Sequence, residues 1–250
     1  MERTDAGGQP MRGWWPGPAL AAFHDGVTVI CEIAAELSED AWAGPSPCPE
    51  WRVADLAGHL RCVADDYLEY LDDAPVSRLA RLMATGVPAD TLARKLARQN
   101  AAELAALPDV PAAEHIAAFA RSARSYARRL TPVWDLPHHR YRDTMVTVGG
   151  MAGAACAEWH LHAWDLARSQ GKDYRPADPD ILLLGWRAGM PHLPPDSLAG
   201  VTAGGRAMVA AAGLGGWASG MAHGRRGCGT GLSVRDDPWH AMLRASGREA

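Results

Sequence analysis

Two short segments carry the residues of this chain best suited to chemistry. The first is Cys48-Pro49-Glu50-Trp51-Arg52-Val53-Ala54-Asp55-Leu56-Ala57-Gly58-His59-Leu60; the second is Glu158-Trp159-His160-Leu161-His162-Ala163-Trp164-Asp165-Leu166-Ala167. Both read as helix. Glu158 and His162 are four residues apart, which sets one above the other on a single helical face. If the helix carrying His59 packs beside that pair, two imidazoles and one carboxylate converge. Such a set suits a divalent metal with an open position, as in a catalytic rather than a structural site.

Each of these residues also has an ordinary reading. His59, among Leu56, Leu60 and Val63, can be a core histidine, and the Glu158/His162 pair can be only a helix-stabilising contact. His160 falls on the opposite face and is expected to pack with Trp164. Asp165 follows His162 by three, so it can accept a hydrogen bond from a ligand imidazole or cap local structure. Asp55 precedes His59 by four and can orient that ring or complement the helix dipole. Cys48, between two prolines, is expected to pack rather than react. The segment His138-His139-Arg140-Tyr141-Arg142 is expected to lie in a loop. Arg140 or Arg142 can bind an anionic substrate group there, although a solvated loop is the simpler reading. Trp51, Trp159 and Trp164 read as core or pocket wall. The series Arg121, Arg124, Arg128 and Arg129 reads as a solvated helix face.

The elements that must position these residues follow from apolar periodicity and from proline and glycine. A first helix is predicted from Ala19 to about Leu37, with Gly26 weakening it. Gly44-Pro45-Ser46-Pro47-Cys48-Pro49 is a rigid non-helical linker. A second helix runs from about Val53 to Leu71, a third from Ala89 to Leu107, and a fourth from Ala112 to Leu130. Residues 132–147 are expected to be irregular. A long helix then spans about Val148 to Gln170 and stops at Gly171, a natural C-cap. Further helices are predicted over Asp178–Gly189, Asp196–Ala212 and the end segment beginning Asp237-Pro238, where Asp237 is the N-cap and Pro238 the first helical residue. Long helices with almost no strand signal imply an all-α, up-and-down four-helix bundle. The expected organisation is a lead-in over 1–17, a metal-binding bundle over 18–175, and a short, Gly-rich, mostly helical C-terminal appendage over 176–250.

Composition bounds the function classes. A net charge of -4 gives no electrostatic case for nucleic acid. No run of about 18 apolar residues is present, so no membrane span is expected, and no secretory leader is visible. Five cysteines without CxxC spacing suit reduced thiols in a cytoplasm. Only Lys95 and Lys172 are lysines among the 25 basic residues; with abundant Ala, Gly and Pro, this arginine bias fits a GC-rich genome.

The first segment resembles the CPxWxVxDLxxHL signature of the DinB/YfiT-like superfamily, specifically the mycothiol-dependent maleylpyruvate isomerase N-terminal domain family. The second, continuing through Arg168-Ser169-Gln170-Gly171, resembles that family's ExxxHxWDLAxAxG. The resemblance covers roughly residues 16–172, with a weaker echo in Asp237-Pro238-Trp239 and Gly247-Arg248. It implies a four-helix bundle whose divalent metal is held by His59, Glu158 and His162. Zinc is the expected ion; iron, nickel and manganese are compatible. It further implies mycothiol, or another low-molecular-weight thiol, as co-substrate beside a small-molecule electrophile, and an actinobacterial source. A homodimer is compatible with this size of bundle.

Two departures stand out. Arg52 occupies a position where the family has Ser or Thr, so the start of its helix must be built differently. The C-terminal region is shorter and more glycine-rich than the α/β domain of the well-known isomerases. The expected function is therefore a metal-dependent thiol S-transferase or thiol-assisted isomerase, with transfer favoured. Two alternatives remain: a non-haem iron oxidative enzyme, because two His and a carboxylate also form the facial set of Fe(II) oxygenases, and a non-catalytic, metal-stabilised binding or regulatory bundle.

Overall fold

The structure is a computed structural model that describes residues 14–48, 51–72, 89–141, 144–190, 237–246 and 248. Helix α1 (Pro16–Ala35) starts with proline in its first turn, where the missing N–H has no intrahelical partner to lose. It buries Phe23, Val27 and Ile30 at the predicted spacing. Gly26, which lowers helix propensity, has a packing reason. A Cβ there would come within 3.0 Å of the His160 ring and of Trp159 Cβ. By length and composition alone α1 is apolar enough to cross a membrane, a test that the core helix of a bundle also passes, and Asp25 and Glu32 interrupt its apolar run.

A five-residue helix, α2 (Glu39–Ala43), was not predicted; Ser38 Oγ accepts from Ala41 N at 3.2 Å and makes so short a helix viable. Helices α3 (Val53–Glu69), α4 (Ala89–Ala106) and α5 (Ala112–Leu130) stand where the sequence placed them. Residues 132–147 are not irregular throughout. A short 3-10 turn, Thr131–Val133, leads into an antiparallel hairpin of β1 (Pro137–Tyr141) and β2 (Thr144–Thr147), with His139 opposite Val146 and Arg140 opposite Met145. The alternation that would announce a strand is absent from Pro-His-His-Arg, so the hairpin rests on pairing rather than on a pattern within one segment.

Helix α6 (Val148–Ser169) follows directly, with Thr147 Oγ1 accepting from Gly150 N at 3.1 Å. Every residue from Val148 to Ala167 is buried, which explains a helix rich in Ala and Gly with little amphipathic contrast. It ends before Gly171, whose φ of +68° places it in the left-handed region open to glycine. Helix α7 (Pro179–Gly189), capped by Asp178, lies against α6 at backbone distance: a Cβ on Gly153 would sit 2.2 Å from Gly185 O. Helix α8 (Pro238–Ala245) has Asp237 as its N-cap and Pro238 in the first turn, as predicted.

Helix α5 packs against α3 and α1, α1 packs against α6, α7 covers another side of α6, and α8 packs on α7. The protein is an all-α bundle whose described residues include one two-stranded sheet. Its core gathers Phe23, Tyr67 and Phe119 around Trp159. Trp14, ahead of α1, is tied to α6 by its indole N–H, which donates to Gly149 O at 2.6 Å. The predicted Asp196–Ala212 helix and the Gly-rich 203–231 stretch lie outside the described residues.

Candidate metal centre

Helix α3 delivers His59 from its second turn. That start lacks a side-chain acceptor at the N-cap, as expected from Arg52. Asp55 supplies half of a capping box, its Oδ2 accepting from Arg52 N at 2.8 Å. The guanidinium grips the same carboxylate, with Nη2 donating to Oδ1 at 3.1 Å. Asp55 thus uses both oxygens at the helix start.

Helix α6 faces α3 at this level. His59 Nε2 lies 3.3 Å from Glu158 Oε1, and His162 Nε2 lies 4.0 Å from the same oxygen. Ligand atoms of the three residues fall within 4.8 Å of one another, and all three side chains are buried. The structure therefore brings together the three residues that two separate segments nominated.

Glu158 Oε1 is buried and accepts no hydrogen bond among the described residues. A buried acceptor in that condition costs about 1–3 kcal/mol, and more when ionised, unless something positive meets it. Donor atoms about 2.1 Å from a tetrahedral ion lie about 3.4 Å apart. The observed 3.3 and 4.0 Å bracket that spacing. The donor set and the orphaned oxygen fit a divalent cation.

His162 is held from behind. Its Nδ1 lies 2.9 Å from Asp165 Oδ2. Burial alone would raise the Asp165 carboxyl, but Arg248 and His162 overcome this and hold it down to about 2. Asp165 is therefore an acceptor, and in the neutral ring, the form that binds a metal, His162 donates to it from Nδ1. The lone pair is then left on Nε2, the atom facing Glu158. Arg248 donates through Nε to Asp165 Oδ1 at 2.8 Å and through Nη2 to Oδ2. Cys48 Sγ donates to Oδ2 at 3.5 Å.

Cys48, His162 and Asp165 form a second close group of potential ligands. The Arg248 guanidinium already engages both oxygens of Asp165 there. That group is a hydrogen-bond node with its cation built in.

The remaining candidates sort by position. Trp51 is half-buried with its ring centroid 4.8 Å from that of His59, so it walls the site. Arg140 is exposed on β1, and Arg142 lies outside the described residues. The two histidines of that strand meet Nδ1 to Nδ1 at 2.9 Å, and His138 packs against Tyr70 beyond the end of α3. His160 is a core residue, and its ring and hydrogen-bond partner is Tyr174. Its ring stacks on the phenol and Nδ1 meets the hydroxyl, while Nε2 meets Ala22 O at 2.9 Å. The sequence reading missed Arg248 as a site residue. The only signal for it was the faint terminal motif Gly247-Arg248.

The family described as the mycothiol maleylpyruvate isomerase N-terminal domain matches residues 10–167. No curated protein matches the chain, and no solved structure does.

Proposed function

The chain belongs to the mycothiol maleylpyruvate isomerase N-terminal domain family, and on that footing we propose that it is a metal-dependent enzyme of thiol chemistry. It uses a low-molecular-weight thiol of the mycothiol kind against an electrophilic small molecule, by S-transfer or by thiol-assisted isomerisation. The observation that carries this reading is the buried Glu158 Oε1, which accepts no hydrogen bond among the described residues, facing the Nε2 atoms of His59 and His162.

His59, Glu158 and His162 are the residues that would hold the ion. A divalent metal there supplies a Lewis-acid position at which a thiol, ordinarily protonated at neutral pH, becomes a thiolate. Three protein donors leave room for that exchangeable position, whereas structural sites close with four. Asp165 keeps the His162 lone pair on Nε2. Trp51, beside His59, offers an apolar wall that excludes water from one side. Arg140, exposed on the hairpin, is a candidate for an anionic group of the substrate.

The test is spectroscopic. Metal-free protein is loaded with cobalt(II) and titrated with mycothiol. A thiolate-to-cobalt charge-transfer band that saturates at one thiol per metal is the expected result. A cobalt spectrum untouched by thiol would overturn the thiol reading while leaving the metal site standing.

A further inference from the structure

The family match ends at residue 167, yet a residue far beyond it reaches the centre of the site. Arg248 is 3% exposed, and its guanidinium donates to both oxygens of Asp165. Its backbone N–H donates to Leu243 O at 2.8 Å, which fixes the chain as it leaves α8. Helix α8 is in turn anchored by Asp237, which caps it and pairs with Arg175 ahead of α7.

We propose that Arg248 is a positioning residue for the metal centre, acting through Asp165 to fix the tautomer and orientation of His162. This rests on the metal reading of His162 given above. The geometry leaves the guanidinium little else to do. Its Nε and Nη2 both end on Asp165, and Nη1 has no hydrogen-bond partner among the described residues. Asp165 in turn receives donors from three separate parts of the chain: Cys48 before α3, His162 on α6 and Arg248 after α8. A planar fork binding one carboxylate through two nitrogens sets that carboxylate's plane as well as its position. With the plane set, Oδ2 is held where His162 Nδ1–H can reach it. The ring then presents Nε2 toward Glu158 and His59. An ammonium at the same place would supply charge without the fork. The centre is thus completed by the C-terminal segment, and a match confined to residues 10–167 contains the ligands without the group that aims one of them.

The test uses the full chain as wild type, Arg248→Gln and Arg248→Lys, with two readouts. Imidazole nitrogen NMR on the metal-free proteins reads the His162 tautomer. Competition with a chelating dye reads the affinity for zinc(II). The wild type is expected to hold His162 with its proton on Nδ1. Arg248→Gln should mix the tautomers and weaken zinc binding by about 10–100-fold, the usual cost of losing a group that orients a ligand. Arg248→Lys should recover thermal stability before it recovers zinc affinity. If Arg248→Gln does not fold, Arg248→Lys decides: wild-type tautomer and zinc affinity there would overturn the proposal. Unchanged tautomer and affinity in Arg248→Gln would overturn it as well. A wild type that binds no zinc would sink the metal reading, yet the tautomer comparison in metal-free protein would still judge the role of Arg248.

Discussion

Glu158 Oε1 lies 3.3 Å from His59 Nε2, bringing α6 to α3 at a point where the carboxylate oxygen receives no hydrogen bond from the described residues. An i, i+4 contact within α6 would have stabilised one helix only. The contact with His59 turns that local pair into a three-residue site spanning the bundle. The surrounding packing has consequences that can be measured.

Gly153 is a packing requirement. A Cβ at this position would fall 2.2 Å from Gly185 O, a backbone atom that cannot swing aside. Gly153→Ala is expected to destabilise the protein by about 1–3 kcal/mol through overpacking. In a chain of this size that lowers Tm by roughly 2–4 °C per kcal/mol. A melt unchanged from wild type would show that α6 and α7 separate freely.

His160 and His162 lie in different surroundings despite their closeness in sequence, His160 against Tyr174 and His162 against Glu158 and Asp165. Tyr174→Phe removes the hydroxyl that meets His160 Nδ1. A loss of about 0.5–1.5 kcal/mol in denaturant unfolding is expected, with metal content unchanged. Loss of bound metal in this variant would contradict the assignment of His160 to the core.

His138 makes stability depend on pH. Burial, with His139 beside it, pushes this histidine down from 6.5 to about 4. The unfolded chain therefore takes up a proton near pH 6.5 that the folded chain refuses until about pH 4. The stability this neutral histidine contributes is fully present above pH 6.5 and is lost as pH falls toward 4, with a limiting slope of about 1.4 kcal/mol per pH unit. His138→Gln should flatten the urea-unfolding midpoint across that window. An unaltered slope would mean that the hairpin opens to solvent before the core does.

Asp237 joins two elements. It caps α8 and forms a two-nitrogen ion pair with Arg175. Asp237→Ala is expected to cost about 1 kcal/mol, mostly as the lost cap, because the ion pair is partly solvated. Amide exchange should quicken in 238–245 before it does in α6. Uniform acceleration across all helices would argue against α8 opening as a unit.

Much of the fold was legible because its punctuation is local. Pro238 opens a helix and Gly171 closes one, each through its own backbone restriction, whereas α1 starts at Pro16, three residues before the expected Ala19. The bounds of α5 follow from Pro111 ahead of it and Pro132 after it. What was missed depends on partners distant in sequence. The hairpin has no alternating pattern in Pro137-His138-His139-Arg140 and needs Thr144–Thr147 across from it. The five residues of α2 are too few for a periodic signal and depend on the Ser38 cap.

The site divides in the same way. Glu158 and His162 could be read from spacing, since four residues make one helical turn. His59 joined them through the resemblance, because nothing local tells a ligand histidine from a core one. Arg248 escaped notice because its partner lies on α6, and a lone arginine near a chain end carries no periodicity. Asp55 shows the converse: a plausible spacing to His59, but a carboxylate used at both oxygens by Arg52.

The most direct measurement is the metal content of purified wild-type protein beside His59→Ala and Glu158→Ala, by elemental analysis, with circular dichroism to show that each variant is folded. One divalent ion per chain in the wild type, and none in either folded variant, is the expected result. A wild type that cannot be loaded with any divalent ion, or variants that retain full metal content, would contradict the assignment of His59, Glu158 and His162 as the metal centre.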